Sequence, residues 1–444
     1  MRKFCIRFKN SIIALMALVL YLGCMAILFG LLGIDNWQVL ELSRTSVVMA
    51  FTYVLFGFFM ARTYGGFDVG VRKSRPIVIS LSLATVLDDI ITYMVLLIMN
   101  TNDENGRLFR PISLGFLVLS MLLQVILVSV LTHLGNRFFF YVTEPEKTLV
   151  IAGKEEELAS VEKAVGIFHR RYAILDRALP GDPALTEKIS RSDAVFLYDV
   201  PRDSRAGIVD LCYRRRISVY CFPDIEDILI HNSEQIMFSD LPFYCSGFEG
   251  KTFEQRVIKR LMDIVISGLL LILTSPILLV SAIAIKKQDG GTVFFTQERA
   301  TIRGRSFRIY KFRTMQENIE NRSVTKDDDR ITPVGRILRK YRIDELPQLI
   351  NIIRGEMSLV GPRPEMLENV REYTKELPEF EYRLRVKAGL TGYAQVVGKY
   401  NTSSRDKLML DLMYIESFSI MTDIRILLQT LTVLFTAEES TEGF

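Results

Sequence analysis

Two residue types are scarce in this chain of 444 residues, and where they stand excludes chemistry. Histidine occurs only at His133, His169 and His231, and cysteine only at Cys5, Cys24, Cys212, Cys221 and Cys245, so residues 246–444 hold neither imidazole nor thiol. Ser-His-Asp and Cys-His triads, His/Cys zinc sites and zincin motifs therefore have no place in that region. Catalysis there would rest on carboxylates, Lys, Arg, hydroxyls or a metal held by oxygen. The cysteines are odd in number, widely spaced and without a CxxC pair, which fits reduced thiols facing cytoplasm or lipid. Charge of one sign is lacking too: 55 Lys and Arg stand against 51 Asp and Glu. Nothing marks the whole chain as a nucleic-acid binder, and no such partner is expected.

What is present is unevenly spread. A composition of 49% hydrophobic and 24% charged residues, with a mean hydropathy of +0.22, is too apolar for a soluble protein and too charged for a pure membrane bundle. Length suggests about three domains at roughly 150 residues each. Four apolar runs, 11–34, 46–61, 77–99 and 112–134, are candidates to cross a bilayer, which takes about 20 helical residues. The first is too long for a cleaved signal, and three more follow. Arg2, Lys3, Arg7 and Lys9 precede the first run, Arg62, Arg72, Lys73 and Arg75 follow the second, and Arg137 and Lys147 follow the fourth. The loops 35–44 and 100–110 mix acids with bases, so the positive-inside rule puts both ends of this unit in the cytoplasm. Asp88 and Asp89 interrupt the third run. Adjacent acids in a span need a polar interior, which fits a structural role within the bundle or a polar site.

From about 146 to 250 short apolar runs (148–152, 172–175, 194–198, 217–221) alternate with helical stretches, as in a Rossmann-like parallel sheet with crossover helices. The first strand leads into Ala152-Gly153-Lys154, one glycine where a dinucleotide fingerprint has three, so a structural or regulatory domain is expected. A fifth apolar run, 261–285, has Arg256, Lys259 and Arg260 on one side and Lys286 and Lys287 on the other, with Ser275-Pro276 near its middle. A broken helix over about 257–285 that dips into the bilayer and returns satisfies both the flanking charges and the proline. An ordinary kinked span is the alternative.

Beyond it, 299–342 holds thirteen Lys or Arg and five acids. Lys311-Phe312-Arg313-Thr314-Met315 ends an alternating strand pattern, and Arg336, Arg339, Lys340 and Arg342 lie on a helix that leads into Asp344-Glu345-Leu346-Pro347. Pro347 belongs to a first helical turn, so Asp344 falls at or near a helix N-terminus, where negative charge is favoured. Successive helical residues point about 100° apart, so this acid pair cannot flank one bond as glycosidase acids do. One can attack or bind metal while the other orients it. Pro362-Arg363-Pro364 holds a guanidinium at a fixed place, as a phosphate grip or a rigid turn, and Gly389-Leu390-Thr391-Gly392 supplies a tight turn. Residues 407–435 form an amphipathic to apolar helix for a membrane surface or a partner.

The ordered set Lys311–Met315, Arg339, Asp344–Leu349, Asn351, Gly355–Pro364 and Gly389–Gly392 resembles the bacterial sugar transferases, the polyprenol-phosphate hexose-1-phosphate transferases also called monotopic phosphoglycosyl transferases. The resemblance covers about 190 residues from 251 to the end. The whole plan looks like the large members, such as the undecaprenyl-phosphate galactose and glucose phosphotransferases. Ala388 departs from the proline usual before the glycine loop. The resemblance implies transfer of a sugar-1-phosphate from a UDP-sugar to undecaprenyl phosphate, through a covalent phosphosugar on Asp344, with Mg2+ required and Asp344 as its ligand. It assigns assistance to Glu345, phosphate binding to Arg339 and Arg363, the lining of the polar site to Lys311 and Arg313, and the helix break to Ser275 and Pro276. Membrane lipid and a homodimer through the soluble regions are the further partners implied, at the cytoplasmic face of the bacterial inner membrane. The expected fold is an α/β membrane protein: a four-helix transmembrane bundle (1–145), a Rossmann-like middle domain (146–250), and a mainly α catalytic domain with a re-entrant helix (251–444). A non-enzymatic membrane scaffold or sensor, whose middle domain binds a nucleotide, and a four-span transporter are the competing readings.

Overall fold

In the computed structural model, residues 6–99, 113–231, 233–246, 252–316, 330–398 and 403–440 are described. Arg2, Lys3, Cys5, the 100–110 loop, residues 317–329 of the basic stretch and the expected domain boundary at 250 lie outside them. The chain divides into two compact units, Met1–Asp224 and Ile225–Phe444.

The first unit starts with four helices, α1 (Lys9–Asp35), α2 (Arg44–Tyr64), α3 (Ser74–Met99) and α4 (Leu114–Val142). Each is long and apolar enough to cross a membrane. Leu20, Cys24, Leu28, Met49, Tyr53, Leu81 and Val128 pack between them, while Leu22, Phe51, Phe58 and Leu122 face outward. Apolar side chains on both sides suit a helix set in lipid rather than water. The second helix outruns its apolar stretch because Ser43 and Ser46 form a capping box at its start and Gly65, at φ 93°, closes its end.

The unit continues as β1 (Glu146–Ala152), α5 (Glu155–Gly166), β2 (Tyr172–Ala178), α6 (Leu185–Ser190), β3 (Ala194–Tyr198), α7 (Arg202–Arg215) and β4 (Ser218–Cys221). The strands lie in the order β2-β1-β3-β4, and all pairs are parallel. Leu149, Ile151, Val195 and Leu197 pack against Ile208 and Cys212 on one face. Between β1 and β3, where such sheets take phosphates, the turn is shut: the Gly153 amide donates to the Tyr198 carbonyl at 2.9 Å, and a Cβ on Gly153 would lie 2.1 Å from the Asp199 carbonyl oxygen. Glu155, Glu156 and Glu157 fill the first turn of α5, so this helix start repels an anion.

The second unit runs α8 (Ile225–His231), the hairpin β5 (Glu234–Phe238) and β6 (Leu241–Cys245), α9 (Phe253–Asp289), the hairpin β7 (Phe294–Ala300) and β8 (Ser306–Phe312), α10 (Pro333–Lys340), α11 (Gln348–Arg354), β9 (Ser358–Val360), α12 (Leu367–Glu376), β10 (Gly389–Thr391), α13 (Tyr393–Val397), α14 (Ser404–Glu416) and α15 (Ile420–Ser440). Helix α8 packs on α14, which joins it to this unit rather than to the parallel sheet. A fifth helix, α9, is also long and apolar enough to cross a membrane. Pro276 does not end it, and α9 runs through the proline for 37 residues. The Ser275 hydroxyl donates to the Ile272 carbonyl at 2.7 Å, the group that the missing N–H of Pro276 leaves without its helical donor.

Both ends of α9 are fastened within this unit. Near its start Lys259 Nζ lies 2.6 Å from Asp423 Oδ2 and donates to the Val360 carbonyl at 3.1 Å. Asp263 Oδ1 accepts from the Leu359 amide at 3.0 Å and the Ser358 hydroxyl at 3.1 Å. Near its end Ile285 packs with Phe312 and Leu338. Between these anchors Ile272 and Leu273 are 71% and 72% exposed.

Candidate active site

Strand β8 alternates buried Phe307 and Ile309 with exposed Ser306 and Arg308, and its register against β7 puts Lys311 opposite Phe295. The chain then docks on the start of α10. Thr332 caps that helix by accepting from the Gly335 amide at 2.9 Å, with Pro333 in the first turn. Gly335 has no alternative there, since a Cβ would lie 2.1 Å from the Thr314 carbonyl oxygen. At the far end of α10, Arg342 takes a left-handed φ of 56° and turns the chain into a 3-10 turn, Ile343–Glu345. The acid pair sits on that turn, just ahead of α11, and is not inside the helix that Pro347 opens.

The two acids differ in what holds them. Glu345 Oε1 accepts from Lys311 Nζ at 2.9 Å and from Arg363 Nη2 at 3.0 Å. Burial opposes its charge, but Arg363 and Lys311 hold its carboxyl well below the usual carboxylate range. Asp344 Oδ1 is buried and has no hydrogen-bond partner among the described residues. Burial, and then the neighbouring charge of Glu345, push its pKa up to about 6 against the pull of Lys311, Arg339 and Arg342. The pair is thus one neutralised carboxylate and, beside it, one carboxylate with an oxygen left without a hydrogen-bond partner among the described residues.

Arg363 stands on a loop knit to the glycine turn. The Gly361 amide donates to the Thr391 carbonyl and the Gly389 amide to the Pro362 carbonyl, both at 2.9 Å. A Cβ on Gly389 would fall 2.1 Å from the Gly361 nitrogen, so both motifs need glycine to cross. A cleft lined by Lys311, Glu345 and Arg363 also draws in Arg299, Gln348 and Gly389. Arg339 Nε donates to Thr314 Oγ1 at 2.8 Å and is among the cations that act on Asp344. Arg313 goes elsewhere: its Nε donates to the Thr292 carbonyl at 2.6 Å, and its guanidinium pairs with Asp289 at the end of α9. It fastens that helix to β8. Ser275 and Pro276 lie on α9 in the stretch between its two anchors.

Four residues at or behind the site were assigned no role from the sequence: Arg299, Gln348, Arg342 and Arg383. Arg299 opens the basic stretch and Gln348 follows Pro347, so both were in view as sequence. Arg383 carried no signal, yet its Nη2 donates to the Arg363 carbonyl at 2.9 Å while its Nε and Nη2 reach Asp411 Oδ2 at 3.0 and 2.7 Å. Among the described residues no three His, Cys, Asp or Glu gather into a metal cage. The orphaned carboxylate oxygen at this site, Asp344 Oδ1, would have to share an ion with a substrate.

The family model described as bacterial sugar transferase matches residues 254–437, which span both anchors of α9, the acid pair and the Arg363 loop. The chain is similar to a UDP-N-acetylgalactosamine-undecaprenyl-phosphate N-acetylgalactosaminephosphotransferase of Aeromonas hydrophila, 37% identical over 55% of this chain and 60% of that protein. It is 40% identical to a UDP-glucose:undecaprenyl-phosphate glucose-1-phosphate transferase of Caulobacter vibrioides, over 41% of this chain and 71% of that one. A protein of the same description from Escherichia coli K12 is 36% identical over 48% of each chain. The chain therefore spans between about half and seven tenths of the length of these relatives.

Proposed function

The chain belongs to the bacterial sugar transferase family, and from that premise we propose that it transfers a sugar-1-phosphate from a UDP-sugar to undecaprenyl phosphate. The products are undecaprenyl-diphosphate-sugar and UMP. One observation carries the assignment of roles: Glu345 is neutralised by Lys311 and Arg363, whereas Asp344 Oδ1 has no partner among the described residues. Asp344 is then the nucleophile. Its carboxylate bonds to the phosphorus that bears the sugar, and the bond from that phosphorus to the oxygen of UMP breaks. An oxygen of the lipid phosphate next attacks the same phosphorus, the acyl phosphate bond breaks, and Asp344 is free again. Splitting one displacement between two anions into two steps is what a carboxylate nucleophile achieves. Lys311, Arg363 and Arg339 offset the charge on the phosphoryl oxygens, and Glu345 holds the first two cations in place.

Mg2+ fits this site in a shared way. It commonly sits between one or two carboxylates and substrate phosphates, and Asp344 offers one such carboxylate. When bound it would neutralise phosphoryl oxygens.

The acceptor's tail belongs in lipid, and we propose that α9 enters and leaves the bilayer on one face. In support, the polar partners of its start, Asp423 and Val360, and of its end, Arg313, belong to the same unit. A straight crossing would separate those ends by the hydrocarbon core of about 30 Å. With basic residues after α2 and α4, this face is read as the cytoplasmic side of the inner membrane. The names of the relatives carry two donors, UDP-N-acetylgalactosamine and UDP-glucose. The test is UMP release by the full chain with Mg2+, undecaprenyl phosphate and a panel holding both, with UDP-galactose added. Release with one donor, lost together with the trapped phosphosugar adduct in Asp344→Asn, is expected. No release with any donor sinks the reaction, and an adduct on Asp344→Asn moves the nucleophile elsewhere.

A further inference from the structure

Asp88 and Asp89 stand at the middle of α3, and the transfer reaction uses neither. They are 3% and 0% exposed, and neither has a basic partner among the described residues. Charge buried at that depth has to be matched from within the protein. Asp89 is held by neutral donors from α4: Gln124 Nε2 at 3.0 Å from Oδ1 and the Ser120 hydroxyl at 3.4 Å from Oδ2. Gln124 Nε2 also donates to the Cys24 carbonyl of α1 at 3.0 Å. Asp88 Oδ1 has no partner. Its other oxygen faces Gly57 of α2, where a Cβ would come within 2.7 Å, so the glycine leaves room for the carboxyl group. Gln124 Oε1 and Thr92 Oγ1, one turn along α3 from both acids, are likewise buried without a partner, and both residues are fully buried. The other titratable side chains facing the pair are Cys24 on α1 and Tyr53 on α2, and neither is a cation.

Helices α3 and α4 thus bring side-chain oxygens here and α1 a carbonyl, and the orphaned atoms are two acceptors and one hydroxyl. A proton would satisfy one acceptor, whereas a small ion can be met by several oxygens at once. One carboxylate among neutral oxygens falls short of the larger oxygen set that Ca2+ takes. We propose that the helical part of the first unit binds one hard monovalent cation of sodium size, ligated by the orphaned oxygens of Asp88, Gln124 and Thr92, while Asp89 keeps its donors Gln124 and Ser120. This site is independent of the transferase reading.

The test melts the full chain, purified in neutral detergent at pH 8, in NaCl, KCl and choline chloride at equal ionic strength. Binding to the folded state alone should raise the midpoint saturably in NaCl over choline chloride, by about 2–5 °C at a concentration well above the dissociation constant. Asp88→Asn keeps the shape, removes no hydrogen bond and should abolish the sodium response. Thr92→Val should move the response to higher NaCl, and it serves as the second variant if the first does not fold. Identical melting of the wild type in all three salts would overturn the proposal. So would a midpoint that rises on acidification in choline chloride while sodium adds nothing, because a proton is then the ligand.

Discussion

Two neighbouring carboxylates titrate apart here because different atoms meet them. Glu345 stays ionised under Arg363 and Lys311, whereas Asp344, raised to about 6 by burial and by Glu345, exchanges its proton close to neutrality. For an acid with a raised pKa the charged, nucleophilic form gains as pH rises. The burst of UMP in a single turnover should therefore climb about tenfold per pH unit below 6 and level off above about 7. A profile flat from pH 5 to 8 would remove Asp344 from the attacking role. Glu345→Gln supplies a sharper check: without the adjacent negative charge the limb should move to lower pH, and the plateau should fall because Lys311 and Arg363 lose their anchor. An unmoved limb would mean that the two acids do not sense each other. The pair itself was legible in the sequence as Asp344-Glu345 before Pro347. The division of labour was not, because it depends on which oxygen Lys311 and Arg363 reach from elsewhere in the chain.

At the scale of elements, the site is a set of short pieces staked by buried ion pairs. The loop that carries Arg363 hangs from Arg383, itself held by Asp411 in a site where both side chains are 3% exposed. Arg383→Lys keeps the charge but cannot span Asp411 and the Arg363 carbonyl together. It should lower kcat on the order of tenfold or more with the melting point little changed, whereas Arg383→Met should also cost about 3–5 kcal/mol by stranding Asp411. Equal loss of kcat and stability in both variants would make Arg383 purely structural. For α9 the expected outcome concerns sidedness. Cysteines placed singly at Arg256 and Gln288, in a background without native cysteines, should both react with an impermeant maleimide from the same side of the membrane, and labelling from opposite sides would make α9 a crossing helix. The periodicities of the four N-terminal helices and of the alternating sheet were readable because each depends on local pattern. Arg313 and Arg383 were not, since an arginine written in a sequence looks the same whether it meets a phosphate, Asp289 or Asp411. Pro276 misled in a similar way: its lost hydrogen bond is real, but the hydroxyl of Ser275 takes up the freed carbonyl and the helix continues.

For the whole molecule, most of the apolar excess lies in the four N-terminal helices and most of the charge in the rest of the chain, and α9 is the exception that carries apolar surface into the charged part. The second unit has what the proposed chemistry needs: the acid pair, its cations, the Arg363 loop, and a helix with an apolar, exposed middle. The family model falls entirely within it, at 254–437. The first unit adds four further apolar helices and a sheet whose first turn is shut by Gly153 against Asp199, and the proposed transfer assigns no group to either part. A chain lacking residues 1–145 should then stay bound to membranes through α9 and release UMP within about tenfold of the full chain, since the transferring groups and the lipid-facing helix are retained. It should also lose any sodium-dependent rise in melting point, because Asp88, Thr92 and Gln124 leave with the helices. Measuring both on one preparation separates the two units: a folded truncated chain without transferase activity would make the helices part of the catalytic apparatus, and a sodium response that survives truncation would move the cation to the second unit.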